Sequence, residues 1–307
     1  MKRRFTQMLK PDGEKVTART FLVPAAFLAP FLTGLIIFMI YPFINVLLIS
    51  FQQDYRILTG AFNGLGLKNY QDVITDPNFL NGLKNTALYT AFVVPIATAL
   101  SLLIATMLNN DIKLKAFFQT CYFLPMVTSV TAIGLVWKWL FNFDYGLVNY
   151  FLSLLGVQAV NWLNNPVYNL PALIIYGVWS MIPFTTILLL AGFQNVNPQY
   201  YTAARADGAK NGKIFMRITL PLLAPTIGLT FIVNMISASK VFSELFPLFN
   251  GNPGSAYSLY TVVYYLYDAF FVKWKLGRAA ASAVILFLIV LVLTMIQLFM
   301  QRKWKNY

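Results

Sequence analysis

Residues 208–214 read Gly-Ala-Lys-Asn-Gly-Lys-Ile, and a glycine–lysine pair of this kind is where a phosphate-binding loop would be sought. Such a loop needs a glycine five positions before the pair and a serine or threonine directly after it. Asp207 and Ile214 hold those two places, so the chain is not expected to bind ATP itself. Nucleophilic and metal chemistry are no better provided for. There is no histidine, which removes the usual general base and most triad or zinc-site proposals. The one cysteine, Cys121, lies in an apolar run. It has no partner for an internal disulfide and is expected to be a small buried packing residue.

Polar groups set inside apolar segments are the remaining candidates: Thr128, Ser129, Ser180, Thr185, Thr186, Asn234, Ser237, Ser239 and Lys240. At membrane depth such groups are costly and usually face a pathway. Hydroxyls can bond their own helix backbone, so Asn234 is the stronger mark. Ser237 and Lys240 follow it at steps of three, on one helix face. Trp179 and Phe184, beside Pro183, add aromatic faces to the same segment. Lys240 has a plainer alternative, snorkelling or pairing with Glu244 four residues on. Lys138, between Trp137 and Trp139, reads as an interface anchor.

The elements that must position these residues are membrane spans. Of the 307 residues 58% are hydrophobic and 11% charged, against about a quarter charged in a soluble domain. About 20 apolar residues cross a bilayer as a helix. Six such blocks appear, at 23–50, 86–108, 116–140, 169–193, 220–242 and 279–300. They are too long and too uniformly apolar for barrel strands, so the expected fold class is an all-α membrane protein with six transmembrane helices. The first block is too long for a cleavable signal, has no closing cleavage site, and is read as a retained span. Prolines 24, 30, 42, 95, 125, 183, 221 and 225 stud the spans, as neighbouring helices permit.

The net charge of +13 is a topology signal and not a nucleic-acid surface. Lys2, Arg3, Arg4, Lys10, Lys15, Arg19, Lys113, Lys115, Arg205, Lys210, Lys213, Arg217, Arg302, Lys303 and Lys305 fall on one side of the six-span arrangement. Only Arg56, Lys68, Lys84, Lys273, Lys275 and Arg278 fall on the other. Both the tail 1–22 and the tail 301–307 are therefore expected in the cytoplasm.

The loop 197–219 is short, basic and rich in small residues. Asn197 suits an N-cap with Pro198 at the first helical position, giving a helix over 198–206. Gly208 is placed to end it in a left-handed conformation. A second short helix is expected over 210–219. Ala203, Ala204 and Ala206 leave the first helix nearly bare, so another protein could approach it closely.

This stretch resembles the cytoplasmic loop of ATP-binding-cassette importer permeases, whose pattern runs roughly Glu-Ala-Ala-x-x-Asp-Gly-Ala and then Ile-x-Leu-Pro. Ala203, Ala204, Asp207, Gly208, Ala209, Ile218, Leu220 and Pro221 match it. The segment 64–90 (GLGLKNYQDVITDPNFLNGLKNTALYT), the segment 122–142 (YFLPMVTSVTAIGLVWKWLFN) and FNGNPG at 249–254 are similar to the same family's sugar permeases. The resemblance implies a type I importer permease fold, with residues 82–300 as the permease domain. It points to the larger maltose-type permease without that subunit's big extracytoplasmic insertion. It implies that Tyr201, Thr202, Ala203, Ala204, Asp207, Gly208 and Ala209 form a coupling helix seated on the ATPase. Thr202 stands where the family has a glutamate, which leaves an ionic contact there in question. It also puts a central sugar site near Met126, Ser180, Phe184, Ile236, Ser237 and Lys240.

The same resemblance implies a multi-pass subunit of a bacterial cytoplasmic membrane that imports a sugar or oligosaccharide and is not an enzyme alone. Its expected partners are a second, homologous permease in a heterodimer, two ATPase subunits that hold the ATP and magnesium, and an extracytoplasmic sugar-binding protein. The other reading is a free-standing secondary transporter or channel. That class often shows inverted repeats or buried acids, and neither is visible here. A membrane enzyme lacks its constellation of side chains.

Overall fold

A computed structural model describes residues 18–110 and 113–304. Lys2, Arg3, Arg4, Lys10, Lys15 and Lys305, on which much of the charge asymmetry rests, lie outside the described residues. Among those described the fold is helical, with one isolated bridge between Gln52 and Leu65. The helices are α1 (Ala18–Leu35), α2 (Tyr41–Phe51), α3 (Lys68–Ile74), α4 (Pro77–Asn109), α5 (Lys115–Val127), α6 (Val130–Leu140), α7 (Leu147–Leu154) and α8 (Pro166–Gln194). They continue with α9 (Gln199–Ala206), α10 (Asn211–Ile214), α11 (Leu220–Ala238), α12 (Leu245–Phe249), α13 (Val262–Tyr267) and α14 (Leu276–Trp304).

Five stretches are long and apolar enough to cross a membrane: Leu22–Phe51, Pro77–Asn109, Pro166–Gln194, Asn211–Ala238 and Leu276–Gln301. The expected third span, 116–140, is not one straight helix. It is a bent pair, α5 and α6, meeting at 105°. Thr128 is extended and Ser129 turns the chain into α6. Composition stays apolar through this break, so hydropathy alone runs across it.

Two π-helical turns sit directly before prolines, Ile36–Ile40 before Pro42 and Phe215–Thr219 before Pro221. A proline ring collides with the carbonyl four residues back and removes one N–H. The wider π turn relieves both and keeps the helix running. This also corrects the second short helix expected over 210–219. Residues Asn211–Ile214, the π turn and α11 form one continuous helix. At its other end that helix stops at Ala238 and does not continue to 242.

The core joins α4, α8, α11 and α13 with the first half of α14 through Tyr89, Val93, Leu173, Tyr176, Ala238, Val262 and Ala281. The first span stays outside it: Ser50 is buried in α2, while Phe27 and Phe38 are 83% and 81% exposed. Such faces suit lipid. Cys121 is also exposed, against the expectation of a buried packing residue. On α5 Gln119, Phe123 and Pro125 are half-buried.

The motif residues of segment 64–90 act as clamps. Asn69 donates to the carbonyls of Ser50 and Gln52 at 3.0 and 2.9 Å. Asn85 donates to those of Ser258 and Tyr260 at 2.7 and 2.9 Å. Thr86 accepts the Val262 N–H at 3.1 Å. A Cβ at Gly82 would press on the Thr261 backbone at 3.1 Å. Irregular backbone at this depth needs such partners, and α4 supplies them to the strap between α12 and α13. Tyr260, on that strap, donates to Asp268 at 3.0 Å. Burial first, and then that carboxylate, raise its phenol well above the ordinary range, so it stays a donor. Lys138, expected as an interface anchor, bonds the Asn250 side chain of the same region.

Candidate functional site

Two places gather the candidate residues. The first is a cleft of about 200 Å³ between α4, α8 and α11. Ser180 and Phe184 come from α8, and Asn234 and Ser237 from α11. Ser180, Ser237 and Phe184 are exposed at its mouth. The structure thus brings together four of the sequence candidates. Asn234 is 1% exposed and acts as a junction. Its amide donates to Thr185 Oγ1 at 2.9 Å and to Thr98 Oγ1 at 3.4 Å. The Thr185 hydroxyl has Met181 O at 2.9 Å and Asn234 Oδ1 at 3.2 Å within reach. Thr185 and Asn234 are thus bound into the wall, with only the edge of Asn234 at the cleft.

Other candidates lie elsewhere. Trp179 stacks edge-on to Trp137 at 5.4 Å and belongs to an aromatic cluster behind the cleft. Thr186 is fully buried, with its hydroxyl unbonded. Ser239 bonds back to Met235 O at 2.8 Å. Met126, Thr128 and Ser129 sit exposed at the break between α5 and α6. Ile236 and Lys240 line a separate groove between α11, α13 and α14. The Lys240–Glu244 pair is absent. The helix ends at Ala238, so four-residue spacing no longer puts the two on one face.

Sequence reasoning did not place Tyr89, Gly177 or Glu244 at this cleft. Gly177 lies against the Tyr89 hydroxyl, where any Cβ would collide. Glu244 is the one charged residue lining the cleft, and its carboxylate accepts the Phe242 N–H at 3.1 Å. Its signal was present as an acid placed just beyond an apolar span.

The second place is the loop after α8. Asn197 Oδ1 accepts the Gln199 N–H at 2.9 Å and opens α9 as a cap. The helix closes as expected. Gly208 has φ +72°, its N–H donates to Arg205 O at 3.0 Å, and the Ala209 N–H reaches Ala204 O at 3.0 Å. These two bonds are the Schellman pattern. Tyr201 packs on the cluster of Ala105, Leu189, Phe193, Val196 and Leu223 and accepts a bond from Thr219 at 3.4 Å. Ala204, three residues on, is buried. The outer face carries Tyr200, Thr202, Ala203, Arg205 and Ala206, with Asp207 and Gly208 beyond, all exposed. Of the bare alanines, then, Ala204 seats α9 on its own protein, while Ala203 and Ala206 face out.

Residues 97–306 match the family described as the binding-protein-dependent transport system inner membrane component. The arabinooligosaccharides transport system permease protein AraP of Bacillus subtilis (strain 168) is 32% identical over 285 residues, covering 92% of this chain and 90% of that one. The trehalose/maltose transport system permease protein MalF of Thermococcus litoralis is 32% identical over 269 residues, 88% and 90% of the two chains. The lactose transport system permease protein LacF of Rhizobium radiobacter is 31% identical over 283 residues, 91% and 94%. A solved chain from a bacterial ABC transporter involved in the import of the acidic polysaccharide alginate shares the fold. Its TM-score is 0.80 at 23% identity, over 93% of this chain and 96% of that one.

Proposed function

This chain belongs to the family of binding-protein-dependent transport system inner membrane components, and from that membership we propose that it forms one half of the translocation pathway of an ATP-driven sugar importer. The observation that carries this reading is α9. A helix of eight residues is closed by Asn197 at one end and Gly208 at the other, held to the bundle by Tyr201 and Ala204, and leaves Thr202, Ala203 and Ala206 exposed. A connector between two spans needs none of this order. A docking element for a motor subunit needs all of it.

In this reading ATP and magnesium belong to the partner ATPase, whose closure pushes on α9. The helix from Asn211 runs without interruption into α11, so a displacement at the loop reaches the cleft at Asn234 and Ser237 along one continuous helix. The cleft offers hydroxyls, an amide, a carboxylate and the Phe184 ring, which together can bond and stack on a sugar. Relatives named for arabinooligosaccharides, trehalose/maltose and lactose support the substrate class. A second permease would close the pathway across from Ser180 and Ser237, and a binding protein would deliver the sugar. Arg205, Lys210, Lys213 and Arg217 support a cytoplasmic side for the coupling loop under the positive-inside rule.

The test is purification of the chain from its native membrane, followed by reconstitution with a panel of labelled oligosaccharides. Co-purifying ATPase and ATP-dependent uptake are expected. Uptake without any ATPase, driven by an ion gradient, would contradict the reading.

A further inference from the structure

Lys240 is an exposed cation two residues beyond the end of α11. Glu244, its expected partner, is turned into the cleft and accepts the Phe242 N–H. Asp268 is engaged by Lys273 at 2.7 Å and Asp72 by Arg278 at 2.6 Å. Among the described residues no carboxylate is paired with Lys240.

Beside Lys240 opens a groove of about 630 Å³ walled by α11, α13 and α14. Its walls are apolar: Ile236, Leu266, Phe287, Val290 and Met295. The one other polar side chain there, Thr294, bonds Val290 O at 2.7 Å and so turns no free donor to the groove. Phe287 is held edge-on against Phe43 at 5.3 Å. Along α14 the groove runs from Ala283 to Met295, about 18 Å at 1.5 Å per residue. That is close to the hydrocarbon depth of one leaflet, about 15 Å.

A largely apolar slot about as long as one leaflet is deep, with one unpaired cation at its rim, has the shape and charge of a lipid. We propose that it binds an anionic phospholipid, one acyl chain against Phe287 and Val290 and the headgroup phosphate on the Lys240 ammonium. The preference is for a net-anionic headgroup, because a zwitterionic one carries its own cation to compete for the phosphate.

The experiment is native mass spectrometry of the full-length chain in its purified assembly, with phosphatidylglycerol and phosphatidylcholine of equal chain length. The parent is expected to retain phosphatidylglycerol roughly five-fold better, the size of one lysine–anionic lipid contact. Lys240→Gln should lose the preference and Lys240→Arg keep it. Val290→Trp, which fills the slot, should retain neither lipid. A preference unchanged in Lys240→Gln would overturn the proposal. So would efficient photocrosslinking from a benzophenone side chain placed at position 291 to another chain of the assembly, since a partner helix would then occupy the groove. Neither readout involves sugar uptake, so the lipid site and the transport reading fail separately.

Discussion

Asn234 on α11 donates a 2.9 Å hydrogen bond to the Thr185 hydroxyl on α8 and lies 3.4 Å from that of Thr98 on α4. Three spans meet at one buried amide. In lipid no water replaces a lost partner, so the junction fixes how α11 sits against the other two helices. The same amide edges the cleft, so in the proposed reading it joins the pathway to the helix that follows the coupling loop.

Asn234→Leu should lower the stability of the purified protein by about 1 kcal/mol, the usual scale of an interhelical polar contact in membranes. In Thr185→Val the Asn234 amide would lose its 2.9 Å acceptor. A double-mutant cycle read by thermal melting should show coupling between the two. Strict additivity would mean that the bond does not hold the spans.

Gly208→Val and Gly208→Asn separate backbone from bulk. No atom lies within 4 Å of a Cβ built at Gly208, so strain there comes from the positive φ alone, about 1 kcal/mol or more. Asparagine tolerates that conformation and valine does not. Gly208→Val should insert normally yet lose ATPase retention and uptake, and Gly208→Asn should keep most of both. Equal behaviour of the two variants would make the loop an ordinary connector.

Ser237→Leu should reduce uptake several-fold without changing melting, because Ser237 is exposed at the mouth of the cleft. Trp179→Ala should instead lower melting, since it removes the stack on Trp137. Aromatic pairs of this kind contribute roughly 0.5–1.5 kcal/mol beyond burial. Parental uptake in Ser237→Leu would take this cleft out of the pathway.

Membrane-impermeant thiol reagents can check the orientation once the exposed Cys121 is replaced by serine. A cysteine at Asn164, exposed before α8, should be labelled from outside. One at Asn211, exposed before α11, should not. The reverse pattern would invert the topology.

The legible parts of this molecule were those governed by neighbours in the chain. Asn197, Pro198 and Gly208 specify the two ends of α9 within a dozen residues, and the structure has both caps. Spans announce themselves by composition alone. The break at Thr128–Ser129 was hidden because apolar residues continue on both sides of it. The fusion of α10 with α11 was hidden because Pro221 reads as a boundary unless a π turn precedes it. Lys240 and Glu244 were assigned to one face on helical spacing, and the helix ends before reaching either. Glu244, Tyr89 and Gly177 come to one cleft from three separate segments, which no local pattern can register.

The most direct measurement is uptake of a labelled oligosaccharide into vesicles holding the purified assembly, with the binding protein supplied outside and ATP inside. Accumulation that requires ATP, and that disappears in Gly208→Val while the spans stay folded, is the predicted result. Accumulation that proceeds without ATP, or that Gly208→Val leaves at the parental rate, would contradict an importer driven through α9.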